Sequence, residues 1–412
     1  MTEPVPLTSP ADRCRHFGDC GGCRHQDLPY PVQLERKADQ LREWLGDLWP
    51  GPLAVTPSPR LWHYRNKVEF NFDRQRYPTP PPPGFVRETV LGFKRPGRWF
   101  WTLDLEECRI APAGAMALLD AIRAWARQHD YRSRYGKGQD GCLRHLILRE
   151  TARSAQRMVI LITSDPIDGA SLVAAVQAAY PVHALYHGIY RGDADVAQAD
   201  ELHLLAGAPT IDEELHLDSP AGPRQLHFRI SPFAFFQTNS LATERLYGAL
   251  RQWVAELAPA HLYDLYGGAG GIALSCADLV PAITSVEEVA AATADGLANA
   301  QRNAVPNLTF LTADVRHYLR ELSIRQGGPL PADHLVIVDP PRAGMHPKAL
   351  FQLAELAPAH LLYVSCNPKL FARELAALRD RYELVALQAF DLFPHTPHVE
   401  LLAHLRHRPA VA

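Results

Sequence analysis

The sequence predicts an α/β chain in three parts, and three features carry that reading. Residues 229–412 alternate strand candidates with helical stretches, residues 59–228 read mostly as strands, and residues 1–58 hold a tight cysteine group followed by one helix. Alternating strands and helices imply a parallel sheet covered on both faces, because each parallel crossover needs a connecting element. The chain has 412 residues, which exceeds one ordinary domain of about 150. Its apolar content of 47% is enough to bury a sizeable core.

The first part opens with Cys14, Cys20 and Cys23 in a Cys-x5-Cys-Gly-Gly-Cys arrangement. The total of 7 cysteines is odd and three of them are crowded together. That favours metal binding or catalysis over disulfides in a reducing compartment. Gly21 and Gly22 let the backbone wrap a bound group. A fourth ligand is needed, and Cys108 in Glu106-Glu107-Cys108 is the candidate. Four thiolates suit either zinc or an iron–sulfur cluster. Cys142 and Cys276 read as buried structural thiols. A helix follows from Pro31 to Leu48, with apolar spacing at Leu34, Ala38, Leu41 and Leu45. Pro50, Pro52, Pro57 and Pro59 close it.

In the second part, Val68–Phe72 and Leu143–Leu148 alternate apolar and polar residues, as half-buried strands do. Met158–Ile162 is a buried-type run, and Ala184–Tyr190 and Leu226–Ile230 are further strand candidates. One helix, about 112–128, interrupts them. The proline tract at 78–84 fits neither a central strand nor a helix and reads as a projecting loop. Basic residues crowd 60–98 (Arg65, Lys67, Lys94, Arg98) and 123–153 (Arg123, Arg144, Arg149), while the net charge is only −3. This excludes a wholly basic nucleic-acid coat but not a local basic face, and a solvated surface would explain such runs equally well.

The third part offers strands at His261–Leu265, Ala282–Glu287, Leu308–Thr312, Leu335–Asp339, Leu361–Ser365 and Tyr382–Phe390. The first runs into Tyr266-Gly267-Gly268-Ala269-Gly270-Gly271, where glycines permit a tight turn and close approach of a ligand. Alone, such a turn is a weak signal. The next strand ends at Glu287, about 20 residues on, where an acid can bind ribose hydroxyls. The third ends in Ala313-Asp314 and the fourth in Asp339-Pro340-Pro341-Arg342. Acids at successive strand ends line the ligand crevice of open α/β sheets. The series fits adenosylmethionine as well as a dinucleotide, although Ala273 stands where a dinucleotide fingerprint has its third glycine.

Cys366 follows the fifth strand directly, and Asn367-Pro368 forces a turn that presents the thiol at the sheet rim. The bland alternative is a buried structural cysteine. Asp391 to Glu400 packs two prolines, two histidines and two acids into ten residues, which suits a shaped loop rather than a regular element. His395 and His398 provide only two metal ligands, so hydrogen-bonding roles fit them better. In Ser231-Pro232-Phe233-Ala234-Phe235-Phe236-Gln237-Thr238-Asn239 the aromatic run reads as core, while the two amides need specific partners.

In order along the chain stand Ser-Pro-x-x-Phe-Phe-Gln-x-Asn, Asp-Leu-Tyr-Gly-Gly-x-Gly, Val-Asp-Pro-Pro-Arg-x-Gly, Ser-Cys-Asn-Pro and Phe-Pro-x-Thr-x-His-Val-Glu. Over nearly its whole length the chain resembles the RNA uracil-5 methyltransferases that make 5-methyluridine. The resemblance implies a Rossmann-like class I methyltransferase domain over 229–412. It implies a strand-rich central domain contacting RNA over 59–228, and an N-terminal iron–sulfur segment over 1–58. S-adenosylmethionine would be the methyl donor, bound through Gln237, Tyr266, Gly271, Glu287, Asp314 and Asp339. Cys366 would add to C6 of uracil and turn C5, a poor nucleophile, into an enolate carbon. Glu400 would remove the C5 proton after methyl transfer. Asp339 would hold the uracil edge and help activate the thiol. The target base must leave its stack to enter such a site.

The Cys-Gly-Gly-Cys with its distant fourth cysteine resembles the iron–sulfur members of the family. That implies a 4Fe-4S cluster on Cys14, Cys20, Cys23 and Cys108, structural or RNA-binding in role because the methyl chemistry needs no electron. Those members mostly modify 23S rRNA, and the nearness of Cys14 to Met1 resembles the shorter type without an N-terminal RNA-binding barrel. The sequence departs from the family pattern at Gly267, Leu370 and Glu374, none of which removes a chemical group. Cytosine-5 enzymes usually carry a cysteine beside the proline of the Asp-Pro-Pro segment, and Asp339-Pro340-Pro341 has none. The expectation is therefore a monomeric, cytoplasmic enzyme of 23S rRNA. A tRNA uracil-5 methyltransferase, or an RNA-binding or folding factor with incidental catalysis, are the alternatives. No apolar run approaches the roughly 18 residues of a membrane span, and Met1–Pro10 lacks the basic-then-apolar order of a secretory signal.

Overall fold

The structure, a computed structural model, describes residues 13–77, 80–134 and 141–408. The Met1–Pro10 segment and the first two residues of the proline tract, Pro78 and Thr79, lie outside them. The chain divides into two compact units. One comprises Met1–Pro29, Arg60–Glu213 and Ser231–Phe233; the other comprises Tyr30–Pro59, Glu214–Ile230 and Ala234–Ala412.

This division differs from the three-part reading: residues 1–29 join the central part in one unit, residues 231–233 fall there too, and two further stretches change place. Helix α1 (Tyr30–Leu45) and strand β1 (Val55–Thr56) belong to the second unit rather than to a cysteine segment. The cause is burial of Ala38, Leu41 and Leu45 in that unit's core. Residues 214–228 belong there too. Their Leu215, Leu217, Leu226 and Phe228 join its other core. α1 also stops before Leu48, and Gly46–Leu48 follows as a 3-10 turn.

The first unit holds β2 (Lys67–Arg74), β3 (Thr89–Arg95), β4 (Arg98–Asp104), α2 (Ala115–Gln128), β5 (Leu143–Glu150), β6 (Arg157–Thr163), α3 (Gly169–Ala179), β7 (Ala184–Ile189) and β8 (Glu201–Gly207). Its sheet runs β4-β3-β2-β5-β6-β7-β8. Only β6 and β7 pair in parallel, and α3 supplies the crossover that parallel pairing demands. Val68, Phe70, Leu146 and Leu161 pack against Leu118, Leu119 and Ile122 of α2 and Leu172 and Val176 of α3. The sequence predicted one helix here. α3 escaped because its alanine-rich run has little apolar contrast. Its start is nevertheless marked by Asp168, which accepts from the N–H groups of Ala170 and Ser171 at 3.1 and 3.2 Å. β3 and β4 escaped because Lys94, Arg95 and Arg98 interrupt their alternation, and β8 because it is a largely exposed edge strand.

The second unit continues with β9 (Ile211–Leu217), β10 (Arg224–Ile230), α4 (Ser240–Leu257), β11 (His261–Leu265), α5 (Gly271–Cys276), β12 (Ala282–Glu287), α6 (Ala290–Arg302), β13 (Leu308–Thr312), α7 (Val315–Gln326), β14 (His334–Val338), α8 (Pro347–Leu356), β15 (His360–Ser365), α9 (Pro368–Leu378), β16 (Tyr382–Phe390) and β17 (Glu400–His407). The large sheet runs β1-β16-β17-β15-β14-β11-β12-β13. β11 to β15 are parallel neighbours, and β17 runs against β15 and β16. Alternate residues face two cores. Leu265, Val336, Val338 and Leu361 meet α1, α7, α8 and α9 on one side. Leu262, Ile283, Ile337 and Leu362 meet α4 and α5 on the other. Strand order reverses between β11 and β14, so their carboxyl ends flank the crevice where such sheets take ligands.

Candidate active site

The turn after β11 is built to lie close to a ligand. Tyr266 and Gly268 take φ of +65° and +54°, which doubles the chain back before α5. The Gly267 N–H donates to the Val286 carbonyl at 3.0 Å. The Gly268 N–H donates to Glu287 Oε2 at 3.0 Å, and Glu287 Oε1 accepts from the Val289 N–H at 2.8 Å. Glu287 therefore braces the turn from the neighbouring strand. Nothing larger than hydrogen fits at 267, where a Cβ would stand 2.9 Å from Asp264 Oδ2 and closer still to Ser285 Oγ.

This turn walls a cleft, about 470 Å3 of empty space with the open solvent at its mouth included, whose lining includes Phe236, Gln237, Tyr247, Tyr266, Gly268, Gly271 and Asp339. An aromatic wall with few polar groups at a helix start suits a nucleoside-bearing ligand. Four of the residues assigned to the cofactor by resemblance, Gln237, Tyr266, Gly271 and Asp339, line the cleft. Glu287 stands behind it. Asp314 lies after β13, where its Oδ1 accepts from the His317 N–H at 3.0 Å and caps α7. The other odd amide, Asn239, is fully engaged. It caps α4 by accepting from Ala242 N–H at 3.2 Å and donates to Ser58 Oγ and the Leu392 carbonyl at 3.1 and 3.0 Å.

The reactive groups stand at the same sheet edge. Asp339 follows β14, Cys366 follows β15, and Glu400 begins β17. Ser365 pairs with Leu401 in the antiparallel register, so the next position, Cys366, falls opposite Glu400. Val338 pairs with Tyr363, and the Asp339 N–H donates to the Leu265 carbonyl at 3.2 Å, which places Asp339 between the thiol and the glycine turn. Glu400 is 1% exposed, and its Oε1 has no hydrogen-bond partner among the described residues. An orphaned acceptor in a dry site calls for an explanation, and a partner from outside the protein is one.

Burial, with Asp339 adding to it, pushes the Glu400 carboxyl well up. Burial likewise raises Asp339, with Asp264 adding. The Cys366 thiol is pushed up to about 11, by burial first and then by Glu400 and Asp339, while Arg342 works the other way. Cys366 sits just before α9, whose N-terminus favours a thiolate, yet burial and two carboxyls outweigh it. Ionising one member of this group makes the next harder to ionise. Asn367 fixes the corner, donating to the Arg342 carbonyl at 3.0 Å.

Sequence reasoning passed over several supporting residues. Tyr247 on α4 lines the cleft, and burial and the nearby Asp339, Asp264 and Glu400 raise its hydroxyl. On an amphipathic helix its default reading is core. Asp264 lies buried beneath the glycine turn, accepts from Ser285 Oγ at 3.2 Å, and is pushed up to about 7 by burial. Glu374, one of the departures from the family pattern, accepts from the Met345 N–H at 2.9 Å and from the Tyr363 hydroxyl at 2.6 Å. Lys37 and Gln33 on α1 reach the loop before Glu400.

In the first unit, Cys14, Cys20, Cys23 and Cys108 come together. Each thiol interacts electrostatically with at least one other, and burial raises all four, Cys23 to about 12 and Cys108 to about 11. Backbone N–H groups oppose the rise: Gly22 donates to Cys20 Sγ at 3.3 Å, and Ile110 and Ala111 donate to Cys108. Among the described residues no group of three His, Cys, Asp or Glu side chains is drawn in to the spacing of a metal-ion site. That holds also for His395 and His398. Among the described residues, no helix is long and apolar enough to cross a membrane.

Comparison with known proteins adds to this geometry. Residues 196–408 match the family model described as tRNA (Uracil-5-)-methyltransferase. The chain is 30% identical to a protein of Caldanaerobacter subterraneus subsp. tengcongensis, over 98% of this chain and 86% of that one. It is 34% identical to one of Nitratidesulfovibrio vulgaris, over 96% and 82%. Both bear the description "uncharacterized RNA methyltransferase". A crystal structure of Pyrococcus abyssi tRNA (uracil-54, C5)-methyltransferase in complex with S-adenosyl-L-homocysteine is 27% identical, with a TM-score of 0.72 over 94% of this chain and 86% of that one.

Proposed function

The chain belongs to the tRNA (uracil-5-)-methyltransferase family and is an S-adenosylmethionine-dependent RNA methyltransferase; we propose that it methylates C5 of a uridine in 23S rRNA. The observation that carries the reaction is the meeting of Cys366, Glu400 and Asp339 beside the glycine-turn cleft. The Cys366 thiol gives its proton to the Asp339 carboxylate and its sulfur forms a bond to uracil C6; the electron pair displaced to C5 takes the methyl group from the sulfonium, leaving S-adenosylhomocysteine. Glu400, in its ionised form, accepts the C5 proton, and its raised affinity for protons makes it the stronger base. The C6–S bond then breaks, which restores the ring double bond and returns the pair to sulfur. The unpartnered Glu400 Oε1 supplies the acceptor for that proton, and Asp339 orients the uracil edge. Gln237, Tyr266 and Gly271 hold the cofactor, with Glu287 and Asp314 at its ribose and adenine ends.

Cys14, Cys20, Cys23 and Cys108 would hold a 4Fe-4S cluster. The donor set fits: one buried and three partly buried thiols within electrostatic reach, with N–H groups directed at sulfur. Such a cluster would tie the cysteine loop to the Cys108 segment, and the methyl chemistry does not draw on it. The resemblance to cluster-bearing enzymes is what favours 23S rRNA, in the cytoplasm, with the protein acting as a monomer. A tRNA substrate is the second reading, favoured by the solved relative that acts on uracil-54 of tRNA.

The test supplies purified protein with methyl-labelled S-adenosylmethionine and either ribosomal RNA or tRNA. Label at a uridine C5 in 23S rRNA alone is expected. Label in tRNA alone overturns the substrate assignment, and label in neither overturns the reaction. Cys366→Ala should form no covalent adduct with 5-fluorouridine RNA, and an undiminished adduct would rule out this nucleophile. Anaerobic protein should carry iron and acid-labile sulfide; zinc without iron would refute the cluster.

A further inference from the structure

The segment between β16 and β17 has no regular structure, yet it ends on Glu400 and is buried at Asp391, Leu392, His395 and Thr396. Irregular backbone in a buried place must have its polar groups met elsewhere. Much of that is done by α1, more than 350 positions earlier. Lys37 Nζ donates to Asp391 Oδ1 at 2.6 Å and to the Phe393 carbonyl at 3.0 Å. The His395 N–H donates to Gln33 Oε1 at 2.9 Å, and Gln33 Nε2 lies 3.2 Å from His395 Nδ1. The Tyr30 hydroxyl donates to Asp391 Oδ2 at 2.9 Å.

Three features show that this is more than packing. First, α1 turns Gln33 and Lys37, at 1% and 0% exposure, to the buried side shared with Ala38, Leu41 and Leu45. A stabilising design would place apolar residues there, because a buried ion pair is weak support for stability. Second, His395 has φ +65°, a conformation that non-glycine residues adopt only when their surroundings hold them in it. Gln33 grips both its backbone and its ring. Third, two of the bonds go to loop backbone, the Phe393 carbonyl and the His395 N–H, so they fix its course and not merely its presence.

From these contacts we infer that Gln33 and Lys37 are positioning residues that set the carboxylate of Glu400 against its substrate. The inference rests on the reading of Glu400 as the base that removes the C5 proton. Its consequence is specific to one step. Thiol addition and methyl transfer need Cys366 and the cofactor, whereas the bonds of Gln33 and Lys37 described above go to the loop that leads to Glu400. Proton removal needs Glu400 in place. Loosening the loop should therefore stall the enzyme after methyl transfer, with RNA still bonded to Cys366.

The test uses the full-length protein with in vitro transcribed 23S rRNA and tRNA and compares wild type, Gln33→Met, Gln33→Glu and the double variant Lys37→Met/Asp391→Asn. The double variant removes the charge pair while keeping an acceptor for Tyr30. Gln33→Met and the double variant should lose about 10- to 100-fold in turnover, the scale of an ångström-level misplacement. A covalent protein–RNA band should accumulate on denaturing gels, and S-adenosylmethionine affinity should stay within about twofold. Gln33→Glu retains an acceptor for the His395 N–H and should recover most of the rate. Wild-type turnover in Gln33→Met, or slow turnover without adduct at an unchanged melting temperature, overturns the inference while leaving the function intact. Failure of both altered forms to fold assigns α1 a purely structural role and overturns it as well. A wild-type protein that labels neither RNA and forms no adduct with 5-fluorouridine RNA refutes the function itself, and the inference with it.

Discussion

Cys366 is raised to about 11, so in the free enzyme its thiolate should be scarce. At pH 8 a thiol of that pKa is ionised in about one molecule in a thousand, against about one in ten for a thiol at the ordinary 9.0, because each unit is tenfold. Thiolates of higher pKa are intrinsically better nucleophiles, with a sensitivity of about 0.4–0.5 per unit, which returns up to about tenfold of the hundredfold deficit. Iodoacetamide should then alkylate Cys366 in the free enzyme about tenfold more slowly than in the unfolded chain at pH 8. The rate should climb about tenfold per pH unit from pH 7 to 10, with no plateau. Peptide-resolved mass spectrometry separates Cys366 from the other cysteines. Asp339→Asn removes a charge that raises the thiol and should move the curve to lower pH; Arg342→Ala should move it higher. A plateau below pH 9, or alkylation at pH 7 as fast as in the unfolded chain, would refute the crowding of thiol and carboxyls. It would also mean that the resting enzyme holds a ready nucleophile. The expected slow thiol implies instead that activation waits for the substrate.

Three further outcomes follow from the packing. Gly267→Ala forces a Cβ against Asp264 and Ser285; it should destabilise the protein by about 1–3 kcal/mol in urea titrations and weaken cofactor binding, and a neutral effect would contradict the close approach. Arg251 is fully buried and its Nη1 and Nη2 donate to Asp278 at 2.6 and 3.0 Å and to the Ser275 carbonyl; Asp278 keeps Arg224, so Arg251→Ala should cost about 2–3 kcal/mol through the cavity and the carbonyl left without that donor, read in the same assay. His404 is lowered to about 4, by burial first and then by His360 and Arg406. Between about pH 6.5 and 4 the unfolded chain binds the proton that the folded chain refuses, so this group's stability is present above 6.5 and is lost as pH falls. The raised Asp264 and Glu400 act with the opposite sign, so the contribution is isolated by difference: His404→Gln should flatten the acid limb of the urea midpoint relative to wild type, and an unchanged limb would contradict it.

The strands that carry the site were legible because they are short apolar runs ending in Asp, Glu, Cys or Gly. β11 and β15 were placed to within a residue by that pattern alone. β17 was not read as a strand, because Phe393-Pro394-His395-Thr396-Pro397 before it looks like loop and hides where pairing resumes. The partners of Gln237 and Asn239 were visible only as a need. Asn239 meets Ser58 and Leu392, positions distant in sequence, and no local pattern reports such a meeting. The same limit hid α1. Its apolar spacing was plain, but a lysine and a glutamine on the buried stripe look like helix-surface residues until Asp391 and His395 are seen beside them.

The direction of β17 explains why a distant helix is needed at all. Asp339 and Cys366 each follow the carboxyl end of a strand that is paired up to the last residue before the site, β14 with the parallel β11 and β15 with the antiparallel β17. Glu400 stands at the other kind of strand end, the beginning of an antiparallel one. The chain reaches it from nine residues without strand partners, 391–399. In the proposed reaction the Glu400 carboxylate meets a proton on a base bonded to Cys366, which needs ångström precision that a free loop would not provide. Pairing from Glu400 onward fixes one side of that residue. The bonds of α1 to Asp391, Phe393 and His395 fix the other. On the proposed role of Glu400, the polar residues on the buried face of α1 answer the need to place a base at the start of an antiparallel strand.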